Sequence, residues 1–330
     1  MKCAAIRMSA AVALVAGVGF AATVFAQPQA VPDTVEGHVT AAFNAAGLDL
    51  GGILAVCLPR TGPDPRPAND TAEPAKVFDN LYYVGLQSVS AWAVTTSQGI
   101  ILIDTLNNAQ EAQNSIEGGL RKLQLNPADI KYIIITHAHA DHYGGATYLA
   151  NKFHAQLVMS DLDWTYLEGQ QQQPAAPNRG PIPKRGMSVK DGDKLTLGDT
   201  TIELYLTPPH TPGTLSLIIP LKEGAMRHVA AEWGGTAFNF APTPENFRTY
   251  AASAERFAKI AADKGADLPL SNHPTFDDAL LKIQALKMRK PDQPHPFVTG
   301  PQSVARYLTV AAECAKGRAS AALEKREENK

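Results

Sequence analysis

The sequence predicts an α/β protein in which layered β-sheets carry helices on their outer faces. Three observations lead there. Short runs of β-branched and aromatic residues recur between polar breaks, segments of helical spacing follow them, and the second half of the chain repeats that order. Strands that lead and helices that follow favour sheets covered by helices. With 330 residues and 45% hydrophobic composition, the chain can bury one large core or two small ones.

The first residues stand apart from the fold. MKCAAIRMSAAVALVAGVGFAATVFA (1–26) carries Lys2 and Arg7 ahead of an Ala/Val-rich stretch that ends in Val24-Phe25-Ala26. That is the layout of a secretory signal peptide cleaved between Ala26 and Gln27, which sends the mature chain to the periplasm or outside the cell. A permanent anchor is the weaker alternative, because the apolar stretch is short for a span and ends at small residues. Without Lys2 and Arg7 the mature chain has 28 cations against 32 anions, a net charge of −4. No long basic run is present, so neither nucleic acid nor an anionic membrane is expected as a partner. Stable membrane insertion is not expected either, and the oligomeric state stays open. Cys3 leaves with the signal. Cys57 and Cys314 remain, either as a disulfide tying the N-terminal segment to the C-terminal helix or as two buried thiols.

Residues 27–76 read as an N-terminal extension, irregular to about Ala75. Its stretch RTGPDPRPANDTAEP (60–74) is proline-rich and polar and belongs on the surface. LYYVGL (81–86), SAWAVTTS (90–97) and GIILIDT (99–105) are consecutive strands. AQEAQNSIEGGLRKLQL (109–125) has helical spacing, and KYIIIT (131–136) is a continuous apolar run suited to a fully buried strand. A helix at 145–153 and a strand at 155–160 follow, then a loop rich in Gln, Pro and Gly at 168–186. Strands are expected around 194–197, 201–206 and 215–220. PENFRTYAASAERFAKIAADKG (244–265) opens with Pro in its first turn and closes on Gly, as a helix should. Two more helices are expected at 277–290 and from 302 to about 323.

The chemistry concentrates at the end of the buried strand. IIITHAHADHYGG (133–145) places His137, His139, Asp141 and His142 within six residues. A loop leaving a strand can present alternate side chains to one cleft. Imidazole and carboxylate together suit Zn²⁺ and related divalent ions. Chance polar loop residues would rarely fall in that order. His210, in LTPPHTPGTLSL, and His273, in LPLSNHPTFD, also follow apolar runs. Each alone reads as a loop residue. His38, His154, His228 and His295 read as surface or structural. The G-x-S-x-G elbow of serine hydrolases is absent.

THAHADH (136–142), HTPGTLS (210–216) and SNHP (271–274), with the strand end LIDT (102–105), resemble the metallo-β-lactamase superfamily over about residues 77–290. The resemblance implies an αββα sandwich: two mixed sheets face to face, helices outside, and two zinc ions per chain at one sheet edge. One ion would take His137, His139 and His210; the other Asp141, His142 and His273. Asp104 would support the ligand loop from behind. On this reading 77–290 is the hydrolase domain, and 291–330 is a C-terminal helix packed on it.

Many relatives that cleave thioesters, lactones or phosphodiesters carry an aspartate bridging both metals. HVAAEWGGTAF (228–238) has none, and the cysteine ligand of the first lactamase subclass is also missing. The pattern most resembles class B β-lactamases of subclass 3. Glu232 stands near the bridging position, as a candidate substitute or as a helper or rim residue. The implied reaction is attack of a zinc-bound hydroxide, oriented by Asp141, on a β-lactam amide. A hydrolase of another ester, lactone or amide is the alternative, and a periplasmic zinc-binding protein is the non-enzyme alternative.

Overall fold

The computed structural model describes residues 31–58, 67–170 and 178–328. The signal-peptide reading, residues 60–66 of the proline-rich segment and residues 171–177 of the Gln-rich loop lie outside the described residues.

Seven strands form the first sheet in sequence order: β1 (Ala75–Lys76), β2 (Leu81–Tyr83), β3 (Trp92–Thr96), β4 (Gly99–Ile103), β5 (Ile130–Ile134), β6 (Gln156–Ser160) and β7 (Met187–Val189). The first four run antiparallel, and β4 to β7 run parallel. The second sheet holds β8 (Lys194–Leu197), β9 (Thr200–Leu206), β10 (Leu215–Glu223), β11 (Met226–Trp233) and β12 (Leu268–Ser271). Its order is β12-β11-β10-β9-β8, with only the β11–β12 pair parallel.

Period-two alternation assigns the layers. Ile101 and Ile103 of β4 join Ile134, Leu204, Leu217 and Leu270 in the core between the sheets. Their neighbours Ile100 and Leu102 face the other way, against Ile116, Leu120, Leu149 and Trp164 of the outer helices. The outer face of the second sheet, including Ile218, Ala231 and Trp233, packs on the helices Val35–Ala46, Pro244–Asp263 and Pro301–Glu328. The result is the expected αββα sandwich. Each buried isoleucine contributes roughly 1.5–3 kcal/mol, and a one-residue slip of β4 would exchange its two faces.

The helix Pro244–Asp263 begins as expected, with Pro244 in its first turn and Thr243 accepting a hydrogen bond from Asn246 N. The irregular lead-in is corrected: Val35–Ala46 is a helix, capped by Thr34 and closed by Gly47 at φ +59°. Its sequence is mostly alanine on the buried side, so the apolar stripe that would reveal it is faint. The 109–125 helix contains a π-helical segment at Ala112–Glu117. The helix expected over 277–290 breaks at Asp278, which sits at φ +55°, between Pro274–Asp277 and Ala279–Met288. β11 went unpredicted because MRHVAAEW is poor in β-branched residues, yet it lies between β10 and β12. Cys57 and Cys314 form a disulfide, with Cα atoms 4.8 Å apart. No described helix is long and apolar enough to cross a membrane.

Candidate metal centre

The site forms where β5 leaves the sheet. Asp104, one residue beyond β4, is buried and at φ +60°. Its carboxylate accepts hydrogen bonds from Thr136 N and Thr136 Oγ1, both at 2.8 Å, and pairs with His142 Nδ1 at 2.7 Å. One side chain thus fixes both the start of the loop and a ring at its far end. Thr105 adds hydrogen bonds from N and Oγ1 to His142 O, each 2.8 Å. Gly144 follows because nothing larger fits: a Cβ there would lie 1.9 Å from Asn107 O.

His210 arrives on the β9–β10 connection. Its Nδ1 donates to Ala237 O at 2.6 Å, which turns Nε2 toward the loop after β5. A Cβ at Gly235 would come within 2.6 Å of the His210 Cβ, so that glycine admits the ring. His210 Nε2 lies 3.0 Å from His137 Nε2 and 3.0 Å from His139 Nδ1. Burial, reinforced by the neighbouring histidines, holds His137 and His210 well below the ordinary imidazole pKa, and burial brings His139 to about 4. Three neutral rings therefore converge ring nitrogens on one point. Ligands at 2.0–2.1 Å in a tetrahedral zinc site stand roughly 3.3 Å apart, so the trio is close to that spacing and fits a divalent cation.

The second group is Asp141, His142 and His273. His273 follows β12, and its Nδ1 donates to Ser88 O at 2.7 Å. Asp141 Oδ2 lies 3.7 Å from His142 Nε2 and 4.0 Å from His273 Nε2. His142 Nε2 is buried without a hydrogen-bond partner among the described residues, a donor set with its central contact unmade. Burial alone would lower the His142 pKa, but Asp104 and Asp141 outweigh it and raise it. Burial would raise that of Asp141, but His142, His273 and Arg179 hold it well below the carboxylate range. Within each group the donor atoms lie within 4.8 Å of one another. The His137 and His142 rings, 4.0 Å between centroids, join the two groups.

All six expected donors thus come together, and Asp104 stands behind them. Glu232 does not join either group. It lies inside β11, 0% exposed, with Leu217 and Leu270 as strand partners, and neither carboxylate oxygen has a hydrogen-bond partner among the described residues. Full burial also removes the rim reading. Two residues were missed. Asp163 accepts hydrogen bonds from Ala138 N (2.9 Å), Thr211 Oγ1 (2.6 Å) and Gly213 N (2.7 Å), tying the loop of His137 to the loop of His210. Ser160 Oγ accepts from Asp163 N at the start of the helix Asp161–Glu168, and no local sequence pattern sets Asp163 apart from an acidic residue of an ordinary first turn. Arg179 bonds Asn107 Oδ1 and acts electrostatically on Asp141; it lies in the loop whose sequence offered no assignment.

The family model described as the metallo-beta-lactamase superfamily matches residues 84–224. Among solved structures, BJP-1, a subclass B3 metallo-beta-lactamase of Bradyrhizobium japonicum, is 30% identical, with 79% of this chain and 94% of that chain covered and a TM-score of 0.56. Among curated proteins, the uncharacterized protein YobT of Bacillus subtilis is 31% identical over 43% of this chain and 61% of its own length. A hydroxyacylglutathione hydrolase of Nostoc punctiforme is 26% identical over 42% of this chain and 50% of its own. The chain thus spans half to three-fifths of the length of these curated relatives. Likeness along almost the whole of a subclass B3 enzyme, added to a family match that runs through the histidine-rich loop, means that this chain belongs to the metallo-β-lactamase superfamily.

Proposed function

We propose that the protein is a periplasmic metallo-β-lactamase that adds water across the β-lactam amide: oxygen to the carbonyl carbon, C–N bond broken, proton to the departing nitrogen. The observation that carries the reading is the convergence of two donor groups with different chemistry, three neutral imidazoles beside a carboxylate and two imidazoles. Among the described residues no further carboxylate joins either group, and Glu232, the candidate bridge, stands in neither. That absence, with 30% identity to a subclass B3 enzyme, favours the β-lactam over thioester substrates. The disulfide agrees with an oxidising compartment.

His137, His139 and His210 would hold one zinc ion, and Asp141, His142 and His273 the other. Bound there, the ions would supply a water of near-neutral pKa and positive charge beside the scissile carbonyl. Asp141 stays ionised and orients the attacking water. Asp104 keeps the His142 ring turned so that Nε2 faces the cluster. Asp163 keeps the two histidine loops at fixed spacing.

The test is a turnover panel on purified, zinc-supplied protein: a penicillin, a cephalosporin and a carbapenem beside an acyl-lactone and a thioester, with and without chelator. Ring opening of the β-lactams that stops with chelator is expected. Turnover of the thioester or lactone alone would overturn the substrate assignment.

A further inference from the structure

A cavity of about 510 Å³ opens beside His273, whose ring forms part of its wall. That volume lies in the range of small-molecule sites. One part of the lining is aromatic. Phe238 and Phe247 meet edge to face at 5.3 Å, and Phe276 lies 6.1 Å from the His273 ring, so the apolar lining reaches the metal cluster.

Gln87 and Ser88 supply a polar part of the wall, and two further parts come from segments outside residues 84–224. Ala55 and Val56 come from the turn Ile53–Val56, and Arg318 from the helix Pro301–Glu328. The disulfide pins these two segments together: Cys57 directly follows Val56, and Cys314 stands one helical turn before Arg318. These two parts of the lining are therefore held in register by a covalent bond.

Arg318 is the one arginine among the described lining residues of this cavity. It is half-buried, donates from Nη2 to Leu58 O at 2.6 Å, and has no carboxylate partner among the described residues. Arg185, Arg289 and Arg306, in contrast, each pair with an acidic side chain. A guanidinium withdrawn from water without a counter-charge carries a desolvation cost that an anionic ligand would relieve. Its remaining N–H groups suit the planar fork of a carboxylate. A phosphate dianion would bring more charge than one arginine in an apolar lining can match.

We propose that this cavity is the specificity subsite of the hydrolase and takes a substrate whose apolar, aromatic-bearing arm ends in a carboxylate held by Arg318. The use of the subsite rests on the hydrolase reading; its existence is tested without turnover.

The experiment measures binding of 4-phenylbutyrate and of its neutral isostere 4-phenylbutanamide to protein freed of metal by chelator, using calorimetry. Without metal, the carboxylate cannot coordinate the histidine clusters instead. The expected result is about tenfold tighter binding of the carboxylate. Arg318→Gln, which keeps an N–H donor for Leu58 O, should bring the carboxylate down to the amide's affinity and leave the amide unchanged. Ala55→Trp, which fills the cavity, should lose both ligands. Equal affinities in the unmodified protein, no binding of either compound at millimolar concentration, or a carboxylate advantage that survives Arg318→Gln would each overturn the proposal. Should the glutamine variant fail to fold, salt decides. The carboxylate advantage of the unmodified protein must shrink toward about 1 M salt, and an advantage indifferent to salt overturns the assignment to Arg318. Failure of β-lactam turnover would leave these binding results standing, and the reverse also holds.

Discussion

The two donor groups share a loop but are held in opposite ways. The trio His137, His139 and His210 draws on two loops, and the carboxylate that supports it, Asp163, makes no hydrogen bond to any of the three rings. It gathers Ala138 N, Thr211 Oγ1 and Gly213 N, so it fixes the distance between loops. The group Asp141, His142 and His273 is supported by Asp104, which bonds the His142 ring directly at 2.7 Å. One carboxylate sets spacing and the other sets orientation. The electrostatics differ to match: burial keeps the trio neutral, whereas His142 is drawn toward its charged form by Asp104 and Asp141.

The largest effect should come from removing a ring of the trio. His210→Ala is expected to lower kcat/KM by roughly 10³-fold or more, because an ion's charge stabilisation is worth several kcal/mol and each 1.36 kcal/mol is a decade. Metal content should fall with it. Full turnover in that variant would mean the trio is not part of the reaction.

Asp104→Asn sharpens the contrast. Loss of such a support typically costs 10- to 100-fold in metal affinity, and the loss should appear in the weaker phase of a chelator competition while the trio keeps its ion. Equal weakening of both phases would show that Asp104 serves the loop as a whole.

Asp163→Asn probes the other support through pH. Burial raises the Asp163 pKa from 3.8 to about 6 against its three donors. A folded-state pKa above the unfolded value means the native state holds the proton longer, so stability is lost as pH rises from about 4 to 6. The asparagine variant lacks that slope. The stability of the native protein relative to the variant should fall by about 1–3 kcal/mol across this window in urea unfolding of metal-free protein. A difference that rises with pH would mean the three donors already keep the carboxylate ionised.

The smallest effect belongs to Glu232→Gln. Burial, with Asp104 and Asp277 nearby, pushes the Glu232 carboxyl well above its usual range. A neutral amide of similar shape should change stability by under about 1 kcal/mol and leave metal content unchanged. Loosening of both ions together would restore Glu232 as a bridge.

What the sequence revealed follows the same division. His137, His139, Asp141 and His142 were legible because one turn of chain carries them, whereas Asp104 was picked out by the resemblance of its strand end. His210 and His273 are single histidines after strands; resemblance, not local pattern, picked them out. Asp163 and Arg179 act through loops that meet only in the folded chain, so no local signal marks them. The same holds for the fold. The alternation of Ile100 to Ile103 assigns both faces of β4. β11, poor in branched residues, owes its place to the strands on either side, and the alanine-rich helix Val35–Ala46 to the C-terminal helix it packs against.

The six donors come together as two groups, each placed to hold one metal ion. The most direct test of this arrangement is the metal content of the protein after equilibration with zinc and removal of excess, measured by mass spectrometry beside His210→Ala and His273→Ala. Two ions per chain, falling to one in each variant, is the result expected; a native protein that retains fewer than one ion, or variants that retain both, would contradict it.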